Sequence, residues 1–349
     1  MTPQLAPVPP GTEGSPPGTP PRRSPSPGSP PRRPIASAGR RLWTWLRPLV
    51  GVGILAVLVW RLGTGPFVAG FHVVDVWSVF AALGIGMCTT VFGAWRWCVV
   101  ARSLGLSLSL RQAVADCYRA ILLNSVLPAG VLGDVHRAVS HGRQSGDLGR
   151  GVRAVILERA AGQVVLVACG ISILLTQPGI LAAATGASPL SGWWIALVLL
   201  GLLGLLGVLL AFAAWARRGS STSAWRRALR TAATDARVGL LSKRTWPAVL
   251  ALSVATLVGH VCMFVVAARV SESSVPLAQL LPIFVLALMV MGLPVNVGGW
   301  GPREAFLALA SGAVGLGAGQ GVAISVAYGV LTLIACLPGV VVLFVRRRA

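Results

Sequence analysis

Long apolar runs separated by short connectors constrain the fold of this chain more than any other feature. A helix needs about 20 predominantly apolar residues to cross a bilayer, and several runs approach that length. They lie near 48–60, 77–100, 154–176, 191–215, 246–269, 277–293, 303–317 and 319–345. Charged residues make up only 11% of the chain, whereas about 25% is usual in soluble domains. The sequence therefore predicts an all-α polytopic membrane protein with about six to eight transmembrane helices.

Basic residues are concentrated in some connectors, and this asymmetry predicts the orientation of the chain. They cluster in the N-terminal tail, near 101–111, 137–153 and 216–245, and at 346–348. The connectors near 62–76, 177–190 and 270–276 are poor in positive charge. Because cytoplasmic loops carry the excess of Arg and Lys, we expect a multi-pass membrane protein with both termini in the cytoplasm.

Two segments differ in composition from the apolar runs. Residues 1–40 are rich in Pro, Ser, Gly and Arg, which cannot bury a core, so they are predicted to form a disordered cytoplasmic tail. Residues 41–349 are predicted to form one transmembrane domain. Within it, 216–245 is predicted to be a basic amphipathic segment on the cytoplasmic membrane surface. No basic stretch belongs to a soluble fold that could present it to nucleic acid, so nucleic-acid binding is not expected.

Two apolar segments, 121–137 and 292–304, are interrupted in the same way. Each has a helix that ends at a proline, followed by glycines and then by an acid near an arginine. Proline ends a helix, and glycine lets the backbone take unusual dihedral angles. We expect the breaks to be formed by Pro128, Gly130 and Gly133 in the first segment and by Pro294, Gly298, Gly299, Gly301 and Pro302 in the second.

The orientation predicted from the basic loops makes 111–128 a re-entrant half-helix, which enters and leaves the membrane on the same side. For 277–293 and 303–317, two arrangements stay open: two short spans, or two half-helices that meet at the break. Interrupted helices in both halves of a chain are typical of inverted-repeat transporters, in which the binding site lies near the midplane of the membrane. The interruptions therefore predict an inverted-repeat-like arrangement of two re-entrant or broken elements.

Four of the nine acidic residues fall in or beside membrane segments, each within three residues of an arginine: Asp116, Asp134, Glu158 and Glu304. An ionised side chain in the membrane costs about 2.5–3.5 kcal/mol on insertion scales, so it usually has a partner or serves a pathway. Two interpretations stay open. The pairs are structural and hold the re-entrant elements together, or they line a polar cavity that binds a charged headgroup or phosphate.

Three stretches in a fixed order also resemble a known family: NSVLPAGVLGDVHR (124–137), AVILERAAG (154–162) and GLPVNVGGWGPREAF (292–306). They resemble the flippase-like transmembrane domain shared with lysylphosphatidylglycerol synthases, over about 45–345. The resemblance implies a polytopic bacterial or archaeal domain with two re-entrant elements, which in the best-known members moves an aminoacylated phospholipid. The chain stops at Ala349 without the aminoacyl-transferase domain of the full synthases, so we expect a stand-alone member without synthase activity.

The predicted function is a lipid translocase, which moves the headgroup of a phospholipid or polyprenyl-linked lipid through a polar cavity between two re-entrant elements. Arginine side chains would bind the phosphate, because guanidinium forks match phosphate oxygens. The acids would pair with these arginines or with a cationic headgroup. The residues expected at the cavity are Asn124, Asp134, Arg137, Glu158, Arg159, Trp300, Arg303 and Glu304.

The alternative prediction is a non-catalytic membrane partner of a lipid-modifying enzyme or glycosyltransferase. An enzyme is disfavoured because the chain has no DxD-type acid pair, so we expect no catalytic residues. No metal site is expected, since the six cysteines and four histidines lack ligand spacing. No cofactor is expected. A Walker lysine motif is missing, so ATP is not expected to drive transport. The expected partners are membrane lipids and, in the alternative, a separate lipid-modifying enzyme; the oligomeric state is not predicted.

Overall fold

The computed structural model describes residues 55–72, 74–126, 132–177, 224–273, 275–292 and 300–345. After a helical stretch at 55–62, its helices are α1 (Gly65–His72), α2 (Val76–Ser103), α3 (Leu110–Val126), α4 (Leu132–Gln144), α5 (Leu148–Thr176), α6 (Ala224–Leu240), α7 (Trp246–Val270), α8 (Leu277–Met291), α9 (Pro302–Ala313), α10 (Ala318–Cys336) and α11 (Pro338–Val345). The predicted all-helical architecture is confirmed for these residues. The predicted tail at 1–40 and the apolar run at 191–215 lie outside them.

Four helical stretches are long and apolar enough to cross a membrane. They are α2, α5, α7 and the stretch Ala318–Val342 that runs from α10 into α11, with 28, 29, 25 and 25 residues. At 1.5 Å per residue, 25 residues extend about 37 Å, which exceeds the hydrocarbon thickness of about 30 Å. Many of their large apolar side chains face outward, as lipid requires. The chain is therefore a multi-pass membrane protein.

Four further helices are shorter and form two pairs. Helices α3, α4, α8 and α9 have 17, 13, 15 and 12 residues; α3 packs against α4, and α8 against α9. Helix α3 ends at Val126 and α4 begins at Leu132, while α8 ends at Met291 and α9 begins at Pro302. The helix boundaries therefore fall at the two interruptions that the proline and glycine pattern predicts.

Helices α2 and α7 run antiparallel and form the most extensive helix pair of the described fold. Small residues allow their close approach: a Cβ added at Gly259 of α7 would overlap the side chain of Thr89 on α2. A Cβ at Gly86, on another face of α2, would overlap Ala335 of α10. Such small residues are the usual basis of helix packing in lipid, where burial of apolar surface from water supplies no driving force between helices.

An aromatic stack fixes α8 and α10 against α7. The ring of Phe264 stacks on Phe284 with a centroid distance of 4.9 Å and on Tyr328 with a centroid distance of 3.8 Å. All three side chains are fully buried. Tyr328 also belongs to one of the polar clusters described below, so the stack ties that cluster to the buried core of the fold.

Helix α6 lies within the basic 216–245 segment and packs against α5 and α2. The Arg153 guanidinium of α5 pairs with the Asp235 carboxylate of α6 at 2.5 Å. Gly239 near the end of α6 faces Leu157 of α5 and Ser103 at the end of α2. These contacts bring the basic 216–245 segment to the same end of the molecule as the basic 137–153 loop.

Candidate functional site

Glu158 on α5 is the centre of a buried polar cluster between the membrane helices. One of its oxygens, Oε1, accepts a hydrogen bond from Nη2 of Arg96 on α2 at 2.5 Å. The other, Oε2, accepts one from Nη2 of Arg137 on α4 at 2.6 Å. Glu158 is 3% exposed, so the carboxylate is held between two guanidinium groups and away from solvent. We call this group the Glu158 cluster: Arg96, Asn124, Asp134, Arg137, Glu158, Arg159 and Ser253.

Asp134 joins the α3–α4 pair to α5. Its Oδ1 accepts hydrogen bonds from Nε of Arg137 at 2.8 Å and from Nη2 of Arg159 at 2.7 Å. Its Oδ2 accepts one from Nδ2 of Asn124 on α3 at 3.1 Å. The Asn124 side-chain oxygen in turn accepts from the backbone N–H of Gly133 at 2.8 Å. Asn124 therefore satisfies a free donor in the first turn of α4, a group that no intrahelical carbonyl can reach.

The three arginines of the cluster differ in their exposure. Arg96 also donates to Oγ of Ser253 on α7 at 3.1 Å, and the Arg137 guanidinium lies 4.9 Å from the centroid of the Trp97 ring. Both are almost fully buried, whereas the Arg159 side chain is 49% exposed. Three guanidinium groups face two carboxylates, so one positive charge is in excess. Arg159 is the member that can offer it to a ligand.

A second polar cluster lies where α9 begins. Oε1 of Glu304 accepts from Nη2 of Arg303 at 2.5 Å and from Oγ of Ser325 on α10 at 2.9 Å. Oε2 of Glu304 accepts from the backbone N–H of Gly301 at 2.6 Å, which is the reach-back bond of a helix N-terminus. Gly301 has φ of 108°, a backbone conformation that only glycine adopts readily. We call this group the Glu304 cluster: Trp300, Gly301, Arg303, Glu304, Ser325 and Tyr328.

The Glu304 cluster is closed. The Arg303 guanidinium lies between two aromatic rings, 5.2 Å from the Trp300 centroid and 5.0 Å from the Tyr328 centroid. Its Nε also donates to Ser325 Oγ at 2.8 Å. Arg303 is 2% exposed and Glu304 is fully buried, so the pair is neutral and already satisfied. This cluster stabilises the start of α9. It has no exposed cation, whereas the Glu158 cluster has Arg159.

The segments that carry both clusters match one family. The model of the lysylphosphatidylglycerol synthase transmembrane region matches residues 44–339. The chain belongs to this family. The match spans most of the chain and includes both polar clusters, and it indicates a lipid-related role in the membrane. A search of curated proteins found no match.

In this member of the family, the structure brings the predicted site residues together in two groups. Asn124, Asp134, Arg137, Glu158 and Arg159 share the Glu158 cluster. Trp300, Arg303 and Glu304 share the Glu304 cluster with Gly301. Among the described residues, no hydrogen bond or ion pair connects the two groups.

Two other site residues, Gly133 and Pro302, lie in the first turns of the helices that follow the breaks. A Cβ at Gly133 would overlap the backbone of Ala120, so the absence of a side chain lets α4 approach α3. Pro302 is the first residue of α9, where its missing N–H is not needed. The remaining predicted break residues, Pro128, Gly130, Pro294, Gly298 and Gly299, lie outside the described residues.

Sequence reasoning missed four members of these clusters: Arg96, Ser253, Ser325 and Tyr328. Arg96 had a usable signal, because it is the one charged residue in the apolar run from 77 to 101, and a charge inside a span usually has a buried partner. The two serines and Tyr328 carry no such signal, since single hydroxyl groups are common in membrane helices. Their positions follow only from how α7 and α10 pack.

Proposed function

We propose that this protein is a lipid translocase that binds the phosphate of a lipid headgroup at Arg159. The observation that carries the proposal is the half-exposed Arg159 guanidinium in a cluster with one positive charge in excess. A phosphate diester carries one negative charge, and arginine offers it forked donors. The headgroup of a phospholipid or polyprenyl-linked lipid would bind at the cluster while its acyl chains stay in the bilayer.

The short helix pairs support a transporter-like arrangement. Helices of 12 to 17 residues are short for a full crossing, and each pair flanks an interruption. In this proposal, α3–α4 and α8–α9 are two broken, re-entrant elements of an inverted repeat within a bundle of about six to eight spans. The Glu158 and Glu304 clusters would hold these elements to the surrounding helices, and rocking of the two halves would alternate access to Arg159.

The proposed setting is the bacterial plasma membrane with both termini in the cytoplasm. Basic residues near 101–111, 137–153 and 216–245 support this orientation through the positive-inside rule. Transport needs binding and release but no covalent step, so the proposed protein is not an enzyme. Its proposed partners are membrane lipids, and a separate lipid-modifying enzyme would supply or consume them.

The test compares two arginines of nearly equal exposure. The full chain is reconstituted in liposomes with fluorescent lipids of several headgroups, and transbilayer movement is measured by chemical quenching of the outer leaflet. We expect Arg159→Gln to slow movement about tenfold, because loss of one charged hydrogen bond weakens binding by about 1.5–3 kcal/mol. Arg150→Gln is the control, because Arg150 is 50% exposed and also pairs with an aspartate, Asp147.

Three results would count against the proposal. The first is equal rates for the wild-type protein and Arg159→Gln with every lipid. The second is a wild-type rate no higher than that of protein-free liposomes, which would favour the non-catalytic partner of a lipid-modifying enzyme. Equal slowing by Arg150→Gln would show a general charge effect, which also contradicts a specific role for Arg159.

A further inference from the structure

A third polar feature lies at the start of α2 and the end of α7, away from the Glu158 cluster. A groove of about 830 Å³ opens where α2 begins and α7 ends. Its charged residues are Asp75, Arg269 and Glu272, and its other polar residues are Ser78 and Ser271. Trp77 and several valines form the rest of the wall. We call this feature the Arg269 groove.

The three charged groups of the Arg269 groove are available to a ligand. Within the described residues, none of them forms an ion pair with another side chain. Asp75 uses Oδ1 to accept the backbone N–H of Ser78 at 2.8 Å, and its carboxylate is exposed. That backbone N–H holds the pKa of the Asp75 carboxyl below its ordinary value, so the group is ionised at neutral pH. The groove therefore offers two carboxylates and one guanidinium.

The turn after α7 adds one sign of a built site. Ser271 is 8% exposed, yet its Oγ has no hydrogen-bond partner among the described residues, and it lines the groove. Glu272 has φ of 51°, the left-handed conformation that commonly ends a helix, and the Ser273 N–H closes the turn on the Ala268 carbonyl at 3.2 Å. The Gln320 side chain donates to the Ser271 carbonyl and holds this turn in place. An unpaired buried hydroxyl that borders a groove with charged walls indicates a ligand.

The position of the groove indicates what kind of ligand can reach it. It opens between two membrane-spanning helices at an end where Trp77 is 81% exposed, and tryptophan is enriched at the membrane–water interface. The neighbouring Val76 and Phe80 side chains are also mostly exposed and offer an apolar surface to acyl chains. A lipid headgroup therefore has direct access from the bilayer.

We propose that the Arg269 groove binds the headgroup of a phospholipid that carries a primary ammonium group. The phosphate would contact Arg269 and the Ser271 hydroxyl, and the ammonium would lie near Asp75 and Glu272. A headgroup without a cation would place its phosphate near two unneutralised carboxylates, which repel it. This site is separate from Arg159, and its occupancy does not depend on transport by the protein.

Binding can be measured directly by native mass spectrometry of the full chain with phosphatidylethanolamine or phosphatidylglycerol. We expect the wild-type protein to bind phosphatidylethanolamine more tightly. The double variant Asp75→Asn, Glu272→Gln should weaken that binding on the order of tenfold and leave phosphatidylglycerol binding unchanged or stronger. Asparagine is also a good N-cap, so the start of α2 is kept.

Asp147→Asn is the matched control. Asp147 caps α5 at the end of the molecule opposite the Arg269 groove. It accepts the backbone N–H of Arg150 at 2.9 Å, as Asp75 accepts that of Ser78. Arg269→Gln should weaken binding of both lipids, since both carry the phosphate. Equal wild-type affinity for the two lipids would overturn the proposal, and so would equal losses in Asp147→Asn and the double variant. Because no transport is measured, failure here leaves the proposed role of Arg159 untouched.

Discussion

At the scale of single residues, the Glu158 carboxylate lies in a buried environment that contains several charges. It is shared between Arg96 and Arg137, both buried. Removal of one partner from a buried ion pair leaves the other charge without compensation, which costs more than the pair itself contributes. Loss of the Glu158 charge would leave two guanidinium groups in this position. Substitution of a buried charged residue in this cluster should therefore lower stability more than substitution of an exposed residue.

We expect Glu158→Gln to lower stability by about 3–5 kcal/mol, because two buried arginines lose their carboxylate. Asp147→Asn is the comparison: its carboxylate is 42% exposed, and surface changes usually stay within about 0.5 kcal/mol. The thermal stability of both variants is measured in detergent, as the temperature at which the monodisperse peak in size-exclusion chromatography is lost. Equal shifts in the two variants would show that the Glu158 cluster contributes little to stability.

Sequence alone predicts the local pairs in this site and not the distant ones. The Asp134–Arg137 pair has i,i+3 spacing, which places both side chains on one face of a helix, and the structure has this bond. The bonds of Glu158 to Arg96 and Arg137 join residues 62 and 21 positions apart. No spacing rule predicts such pairs, because they depend on which faces of α2, α4 and α5 meet.

The exposure of the arginines is equally hard to predict. The sequence predicts the same phosphate-binding role for Arg137, Arg159 and Arg303. The structure buries the first and the third and leaves Arg159 half-exposed. Burial depends on Trp97, Trp300 and Tyr328, whose rings cover the two buried guanidinium groups. Aromatic cover of this kind follows from packing and has no local sequence signal.

At the scale of helices, the sequence predicts well where proline and glycine end a helix. Helices α3 and α8 end and α4 and α9 begin at the two interruptions, where proline and glycine occur together and disfavour a continued helix. A single proline is not sufficient, because Pro282 lies inside α8. Whether a pair crosses the membrane or re-enters it depends on its neighbours. That arrangement is a tertiary property, so the sequence leaves both possibilities open for 277–317.

Two glycines of α2 provide a matched test of helix packing. A Cβ at Gly86 would overlap Ala335 of α10, whereas a Cβ at Gly84 would meet open space. We expect Gly86→Ala to destabilise the protein by about 1–3 kcal/mol through overpacking. Gly84→Ala should be neutral or stabilising by up to about 1 kcal/mol, since alanine favours helix.

Thermal unfolding of both glycine variants under identical detergent conditions measures the difference. The two changes add the same methyl group to the same helix two positions apart, so propensity and hydrophobicity are matched. A larger loss in Gly84→Ala than in Gly86→Ala would contradict the contact between α2 and α10.

At the scale of the whole molecule, charge is distributed unequally between the two ends. Helix α6 and the start of α5 bring basic residues to one end, where Arg153 pairs with Asp235. The Arg269 groove, with two carboxylates and one arginine, lies at the other end of α2 and α7. The apolar runs predict this multi-pass arrangement well because bilayer thickness sets helix length. The runs give no information on which helices are neighbours.

The proposed orientation can be tested by cysteine labelling in a background without the six native cysteines. Lys243 and Pro276 are both exposed and lie in connectors of different charge. We expect a membrane-impermeant maleimide to label Pro276→Cys in intact cells and Lys243→Cys only after permeabilisation, as the positive-inside rule requires. If only Lys243→Cys is labelled in intact cells, the orientation is the opposite of the one proposed.

The bond between Arg159 and Asp134 has a consequence for how tightly a ligand can bind. A phosphate that takes the Arg159 donors must compete with the Asp134 carboxylate, which lies 2.7 Å away. When Asp134 separates from Arg159, it would keep its bonds to Arg137 and Asn124. The separation therefore leaves no buried charge unpaired. In the proposed role of Arg159, Asp134 would thus compete with the ligand, which would lower its affinity and speed its departure. A site of this kind is suited to repeated turnover, since a carrier must bind well enough to load and weakly enough to unload.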